Sequence, residues 1–404
     1  MQIEPPGPKT VGQRLAQARK GRGLTQAEAA AQLGCSRPTF IAIEKGTRLA
    51  KSTEIATLAA LYGKSVHEIV RPGRPTASLE VQLRAKVDSA KGPPAEHADA
   101  IQVLQSFAED YRELECIGSQ EQRAEYPPEA RVTSGARLKD LAEDIAIRSR
   151  RWLHLGDGPL DGLREVFEES AGLRIFYWDI PSFVAGIYST SAELGCCMLV
   201  NRQHPPQRRR FTLAHEYAHF LCDRDKPGID YLSHGQRVPL SERFADAFAA
   251  SFLMPETAIR RRFLAVVDSC GDFQVADLCR TSAAFGVSVQ AMALRLEQLR
   301  LLPKGTWDIL NDQGFRASEA RRSLGLQPDE QGTPAPYPTR YKYLCVKAYM
   351  EGKISEGLLS RFLRTDRVSA REIVDQCRTT PWLQGGSRQT LVESAFGRSL
   401  LTQD

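Results

Sequence analysis

LAHEYAHFL, residues 213–221, places His215 and His219 four positions apart with Glu216 beside the first of them. Positions i and i+4 share one face of an α-helix, so both imidazoles can reach a single ion. Zinc accepts imidazole nitrogen and tolerates an open fourth position. Glu216 adjoins the first histidine, where it can take a proton from water activated at a metal. The chain has seven histidines in 404 residues, so chance is a poor source for this pattern. Two hydrogen-bonded core histidines are the plain alternative, and they leave the glutamate unexplained.

The next helical signal, SERFADAFAASFLMP (241–255), is capped by Ser241 and carries an apolar stripe of Phe244, Ala245, Phe248, Phe252 and Leu253. Asp246 follows Glu242 by four residues and shares its face. The arrangement suggests Glu242 as third ligand and Asp246 as the group that orients a ligand histidine through its other ring nitrogen. The alternative for Glu242 is a favourable charge at a helix N-terminus. Tyr231 and His234, between the two helical segments, are candidates to bind an oxyanion developing at such a centre. Cys196 and Cys197 lie on a strand-like segment expected beside the site. Either could be an inhibitory thiol on zinc's open position, or a small buried side chain. Arg208, Arg209 and Arg210 could steer an acidic substrate or single-stranded nucleic acid, or form a solvated helix start.

Nearer the N-terminus, LTQAEAAAQLGCSRPTFIAIEKG (24–46) reads as two short helices around a turn. Thr25 with Glu28 makes a capping box, Gly34 ends the first helix, and Ser36 caps the second. Ile41 and Ile43 are expected to turn inward. Pro38 sits where an early helical N–H has no partner to lose. The start of the second helix then faces outward and can enter a major groove, with Arg37 and Thr39 toward base edges. Gln26, Lys45 and Arg48 are candidates for phosphate anchoring. From Lys9 to Lys51 there are nine Lys/Arg against Glu28 and Glu44, an excess of seven, while the whole chain carries +5. Double-stranded DNA is the partner such a local excess fits. A protein-contact role is the alternative for this kind of unit.

Two resemblances rest on these residues. Residues 9–72, through the pattern LTQxExA…LGxS…T…IExG, resemble the lambda-repressor-like, Xre-type helix-turn-helix family. That likeness implies a five-helix DNA-binding domain, usually a dimer on a palindrome. RRRFTLAHEYAHFLCD followed by ExxADxFAxxFLMP resembles the ImmA/IrrE family of metallo-endopeptidases, from about residue 138 to 302. This second likeness implies a zincin-like fold and a gluzincin-like ligand set of His215, His219 and Glu242 on Zn2+, with Glu216 as general base. It also implies cleavage of a partner repressor, usually itself of Xre type, or of an antitoxin.

Composition agrees with a multidomain chain. Hydrophobic residues make up 42% and charged residues 25%, ordinary for a globular protein. No apolar run is long enough to span a membrane, and MQIEPPGPKT has no signal-peptide core, so the cytoplasm is expected. Nine scattered cysteines without a CxxC pair read as free thiols.

The expected architecture is mainly α and multidomain. A helix-turn-helix domain (1–72) is followed by a helical connector (73–132), read as an amphipathic hairpin, a dimer-forming element or a plain linker. An α+β peptidase domain with a small sheet (133–303) comes next, its strands expected at 173–180, 184–189 and 196–201. Segment 277–302 reads as a helix pair supporting the metal site, and 304–404 as a helical accessory or sensing region. The function these readings favour is a DNA-binding regulator coupled to a zinc peptidase. The alternative is a transcription factor whose peptidase-like domain only senses a ligand or signal.

Overall fold

The structure is a computed structural model described over residues 7–71, 94–118, 126–132, 137–191, 193–224, 228–231, 239–326 and 333–378. Five helices open it: α1 (Pro8–Gly21), α2 (Gln26–Leu33), α3 (Arg37–Glu44), α4 (Ser52–Tyr62) and α5 (Val66–Val70). The Thr25–Glu28 capping box forms, with the Glu28 N–H donating to Thr25 Oγ1 and the Thr25 N–H to the Glu28 carboxylate. Gly34 takes the left-handed conformation (φ 68°) that stops α2, and Ser36 caps α3. Leu15, Ala29, Ala30, Phe40, Ile43, Leu58, Ala59, Tyr62 and Ile69 fill the core. Phe40 and Ile43, three apart on α3, are the buried pair, and Ile41 is only half-buried. At Gly12 the backbones of α1 and α3 nearly touch, and a Cβ there would lie 2.5 Å from the carbonyl oxygens of Ile43 and Glu44.

Helix α6 (Pro94–Gly118) follows, and the chain divides within it into two compact units. The larger holds residues 4–109 and 123–338; the smaller holds 110–122 with the segment from 339 onward and the first three residues. In the larger unit Ile101, Leu104, Phe107 and Ala108 are buried, with Phe107 stacked on Phe176 (ring centroids 4.7 Å apart). In the smaller unit Tyr111 and Leu114 are buried too. The stripe expected as a dimer seam or linker face is therefore covered by the chain's own residues. The hairpin's first half, expected at 79–91, lies outside the described residues.

The larger unit continues with α7 (Leu138–Trp152), α8 (Leu163–Ser170), β1 (Arg174–Trp178), β2 (Val184–Ser191), β3 (Gly195–Asn201), α9 (Pro206–Cys222), β4 (Gly228–Tyr231) and α10 (Leu240–Leu253). The sheet order is β1-β3-β2-β4; β1 and β3 run parallel and the other neighbours antiparallel. Strand β4 was not expected: four residues beginning with glycine give too short a pattern to read alone. A register shift between Val184 and Gly186 leaves Ala185 as an extra residue against β4.

Helix α9 lies on β2 and β3, and α10 packs against both α7 and α9. Their seam is aromatic, with Phe167, Tyr217, Phe220, Phe244, Phe248 and Phe252 all buried. Each such side chain contributes roughly 1.5–3 kcal/mol of burial free energy. Helix α10 starts one residue before Ser241, on Pro239 as N-cap. Helices α11 (Glu256–Cys270), α12 (Val275–Ala284) and α13 (Val289–Gln298) complete the layer, so 277–302 is the helix pair expected there. Arg295, on α13, is buried and donates to Met254 O and Glu143. Helices α14 (Thr306–Asp312) and α15 (Ala317–Ser323) follow in the same unit.

The smaller unit contains α16 (Thr339–Met350), α17 (Glu356–Leu363) and α18 (Arg367–Arg378). Asp110, buried within α6, accepts from Arg361 (3.0 Å) and Arg364 (3.4 Å), so the buried carboxylate is met by opposite charge. The fold class is mainly α and multidomain, as expected. No described helix is long and apolar enough to cross a membrane.

Candidate metal centre

Helices α9 and α10 bring three donors together. His215 Nε2 lies 3.2 Å from His219 Nε2 and 3.2 Å from Glu242 Oε2, and His219 Nε2 lies 3.5 Å from the same oxygen. Among the described residues this is the group of three or more His, Cys, Asp or Glu side chains placed to share an ion. Zinc bonds of about 2.0–2.1 Å in tetrahedral array put neighbouring donors about 3.3 Å apart, which the triangle fits. The donor set, two imidazoles and a carboxylate, is also the kind that holds catalytic zinc with one position open.

Asp246 supports the first ligand from outside. Its Oδ1 lies 3.0 Å from His215 Nδ1, the outer ring nitrogen, which leaves Nε2 facing the other two donors. Burial alone would raise the Glu242 carboxyl, but the hydrogen bonds and charge of His215 and His219 outweigh it and hold it well below the ordinary carboxylate range. Glu242 therefore faces the imidazoles as an anion.

Glu216 is buried (1% exposed) on the turn between the two histidines and lies against β2. Its carboxylate occupies the space where Gly186 lacks a side chain, a neighbour the sequence reading missed. The available signal was a glycine inside an apolar strand pattern. The turn entering β2 is held by Asn201, whose Nδ2 lies 3.0–3.2 Å from the carbonyl oxygens of Ile180, Pro181 and Val184. His204 Nε2, 3.1 Å from Ser182 O, pins the same turn.

The remaining expected residues are placed differently. Cys196 and Cys197 are buried on β3 and stand outside the three-donor group. Strand alternation puts Cys196 into the apolar core with Met198 and Val200, and Cys197 Sγ donates to Leu194 O. Burial pushes the Cys196 thiol well above its ordinary range. His234 and the side chain of Tyr231 lie outside the described residues. Tyr217 is fully buried in the aromatic seam. Of the three arginines before the motif, Arg209 donates to Arg202 O and His204 O, Arg210 donates to Leu160 O, and Arg208 alone is exposed. A basic steering patch is thus reduced to one side chain.

On the helix-turn-helix surface Arg37 and Lys45 are exposed at the two ends of α3, and Thr39 is half-buried with Oγ1 2.8 Å from Ser36 Oγ. Gln26 and Arg48 are engaged inside the domain. Gln26 Nε2 donates to Glu44 (2.8 Å), which also pairs with the buried Arg19. Arg48 makes a two-pronged contact with Glu54 at 2.8 and 3.0 Å. Their assignment to phosphate anchoring has to yield those contacts first.

Two segments of the chain match models of known families. A helix-turn-helix domain model matches residues 10–71, and the peptidase-family model described as the IrrE N-terminal-like domain matches residues 168–297. No curated protein matches the sequence significantly. Among solved structures, the crystal structure of ComR from Streptococcus suis aligns at 13% identity over 92% of this chain and 93% of that one, with a TM-score of 0.16, an overlap too low to bear on the fold. Over those two matched segments, the chain is a helix-turn-helix domain joined to an ImmA/IrrE-type domain of a metallopeptidase family.

Proposed function

We propose that this DNA-binding regulator uses its peptidase-family domain to hydrolyse a peptide bond in a partner repressor or antitoxin, releasing stress, mobile-element or defence genes. The observation that carries the reading is the three-donor triangle of His215, His219 and Glu242, with Asp246 on the outer nitrogen of His215 and Glu216 on the intervening turn. Zinc held by those donors would supply Lewis acidity toward water and toward a substrate carbonyl oxygen. Glu216, through its carboxylate oxygens, takes a proton from the attacking water and returns it to the leaving amine. Asp246 keeps the His215 ring in register, and the aromatic seam beneath α9 and α10 keeps the two helices from drifting apart. The helix-turn-helix domain, through Arg37, Thr39 and Lys45, brings the regulator to double-stranded DNA, as a homodimer if the operator is a palindrome.

The test is incubation of the purified, zinc-loaded protein with a candidate Xre-type repressor as substrate, with and without operator DNA. The expected result is two fragments from one cleaved bond with the native chain, and intact repressor with Glu216→Gln. An intact repressor with both proteins, alongside operator binding that persists in Glu216→Gln, would replace proteolysis with ligand or signal sensing.

A further inference from the structure

Strand β2 is apolar and buried along Val184, Ala185, Ile187 and Tyr188, yet Gly186 interrupts it. Glycine weakens a strand, so the position calls for a reason. Backbone conformation is not the reason, because Gly186 is absent from the residues with positive φ. Space is. A Cβ built on Gly186 would meet Glu216 Oε1 at 2.8 Å, Thr212 Cγ2 at 2.9 Å and Glu216 Cγ at 3.3 Å. Real Cβ atoms do not approach other heavy atoms below 3.0 Å, so something would have to move.

The surroundings decide what moves. Thr212 and Glu216 are one turn apart on the face of α9 that meets β2. Helix α9 is held from behind by α10. Strand β2 is held by β3 and β4 on either side, and Asn201 ties down the turn that enters it. The extra residue at Ala185 sets which way position 186 faces. With helix and strand both braced, the far end of the Glu216 side chain is the atom group that gives way to an added Cβ. None of the three nearest atoms to the added Cβ belongs to His215, His219 or Glu242.

We propose that Gly186 is a positioning residue: the side-chain-free spot it leaves on β2 sets the direction of the Glu216 carboxylate. The functional half of this proposal rests on Glu216 moving the proton in peptide hydrolysis; the steric half does not. A substitution at 186 then removes the base from its place while leaving the metal donors where they are.

The test is a double-mutant cycle in the full-length protein, pairing Gly186→Ala with Glu216→Ala. Every member also carries Thr212→Ser, so that only the carboxylate contact varies. Thermal midpoints are read on zinc-free protein. Gly186→Ala is expected to lower the midpoint by a few degrees when residue 216 is glutamate, and by less than half as much when it is alanine. Zinc affinity of Gly186→Ala, measured by chelator competition, is expected to stay within about threefold of the parent, because the ligands are untouched. Where cleavage is measurable, kcat falls and KM is kept, the pattern of a lost transition-state interaction. If Gly186→Ala does not fold, folding of the double variant is the same coupling in stronger form. An equal drop in both backgrounds, or failure of both to fold, overturns the proposal. Coupling without any cleavage by the parent protein would keep the steric assignment and refute the peptidase reading instead.

Discussion

Tyr217, the central residue of HEYAH, gives the sharpest stability test. Its ring stacks on Phe167 with centroids 4.3 Å apart and sits about the rings of Phe220, Phe248 and Phe252. Its hydroxyl is buried and has no hydrogen-bond partner among the described residues. Burial also pushes the phenol well above its ordinary range, so the group stays neutral. An unsatisfied buried hydroxyl costs on the order of 1–3 kcal/mol. Tyr217→Phe removes that cost, keeps every ring contact, and leaves a void of one oxygen that takes back part of the gain. A net stabilisation of about 1 kcal/mol raises the midpoint of a domain this size by roughly 2–4 °C. The assay is a thermal scan, with the domain's own transition identified as the one that rises on adding zinc. Zinc affinity should be unchanged. A fall in the midpoint, or weaker zinc binding, would mean that the hydroxyl is held by a partner and that this face of α9 is not a plain packing face.

Asp246→Ala should weaken zinc binding about tenfold, the low end for loss of a carboxylate behind a ligand histidine, because Asp246 is 58% exposed; chelator competition reads it, and no change would remove Asp246 from the centre. Arg37→Ala should cut specific DNA affinity by about 1–3 kcal/mol if Arg37 reads a base, whereas Arg48→Ala should act mainly on domain stability, and only slightly, through lost contact with Glu54; binding isotherms on both variants separate the two. Burial raises the Glu168 carboxyl from 4.5 to about 7 despite Arg164 beside it. With the folded value above the unfolded one, its contribution to stability is fully present below pH 4.5 and is lost as pH rises through about 7. Midpoints measured across that window should fall with pH, and Glu168→Gln should flatten this part of the profile.

What could be read from the chain alone was local. The i, i+4 histidines, the Thr25–Glu28 capping box, Gly34 and three of the four strands each declare themselves within a few neighbouring residues. Glu242, 23 residues beyond His219, was reached by helix phase and by likeness to a family, and its carboxylate lies 3.2 and 3.5 Å from the two imidazoles. What could not be read depends on distant partners. Whether Gln26 and Arg48 face solvent turns on Glu44 and Glu54, whose positions only the packed domain defines. The stripe of α6 left a hairpin, a dimer-forming element and a plain linker all open, because the residues that cover it are far away in sequence. Gly186 carries no signal of its neighbour within its strand segment; only α9, packed against β2, sets a carboxylate where its side chain would be. Strand β4 is too short to show alternation, and its partner β2 lies some forty residues earlier.

The central claim is that His215, His219 and Glu242 form one zinc centre with Glu216 beside it and outside the ligand set. Zinc content per chain after metal loading and gel filtration tests this most directly, in the native protein, His219→Ala, Glu242→Gln and Glu216→Gln. The expected result is one zinc per chain in the native protein and in Glu216→Gln, with little or none retained in the other two. Full retention in His219→Ala, or loss in Glu216→Gln matching that in Glu242→Gln, would contradict it.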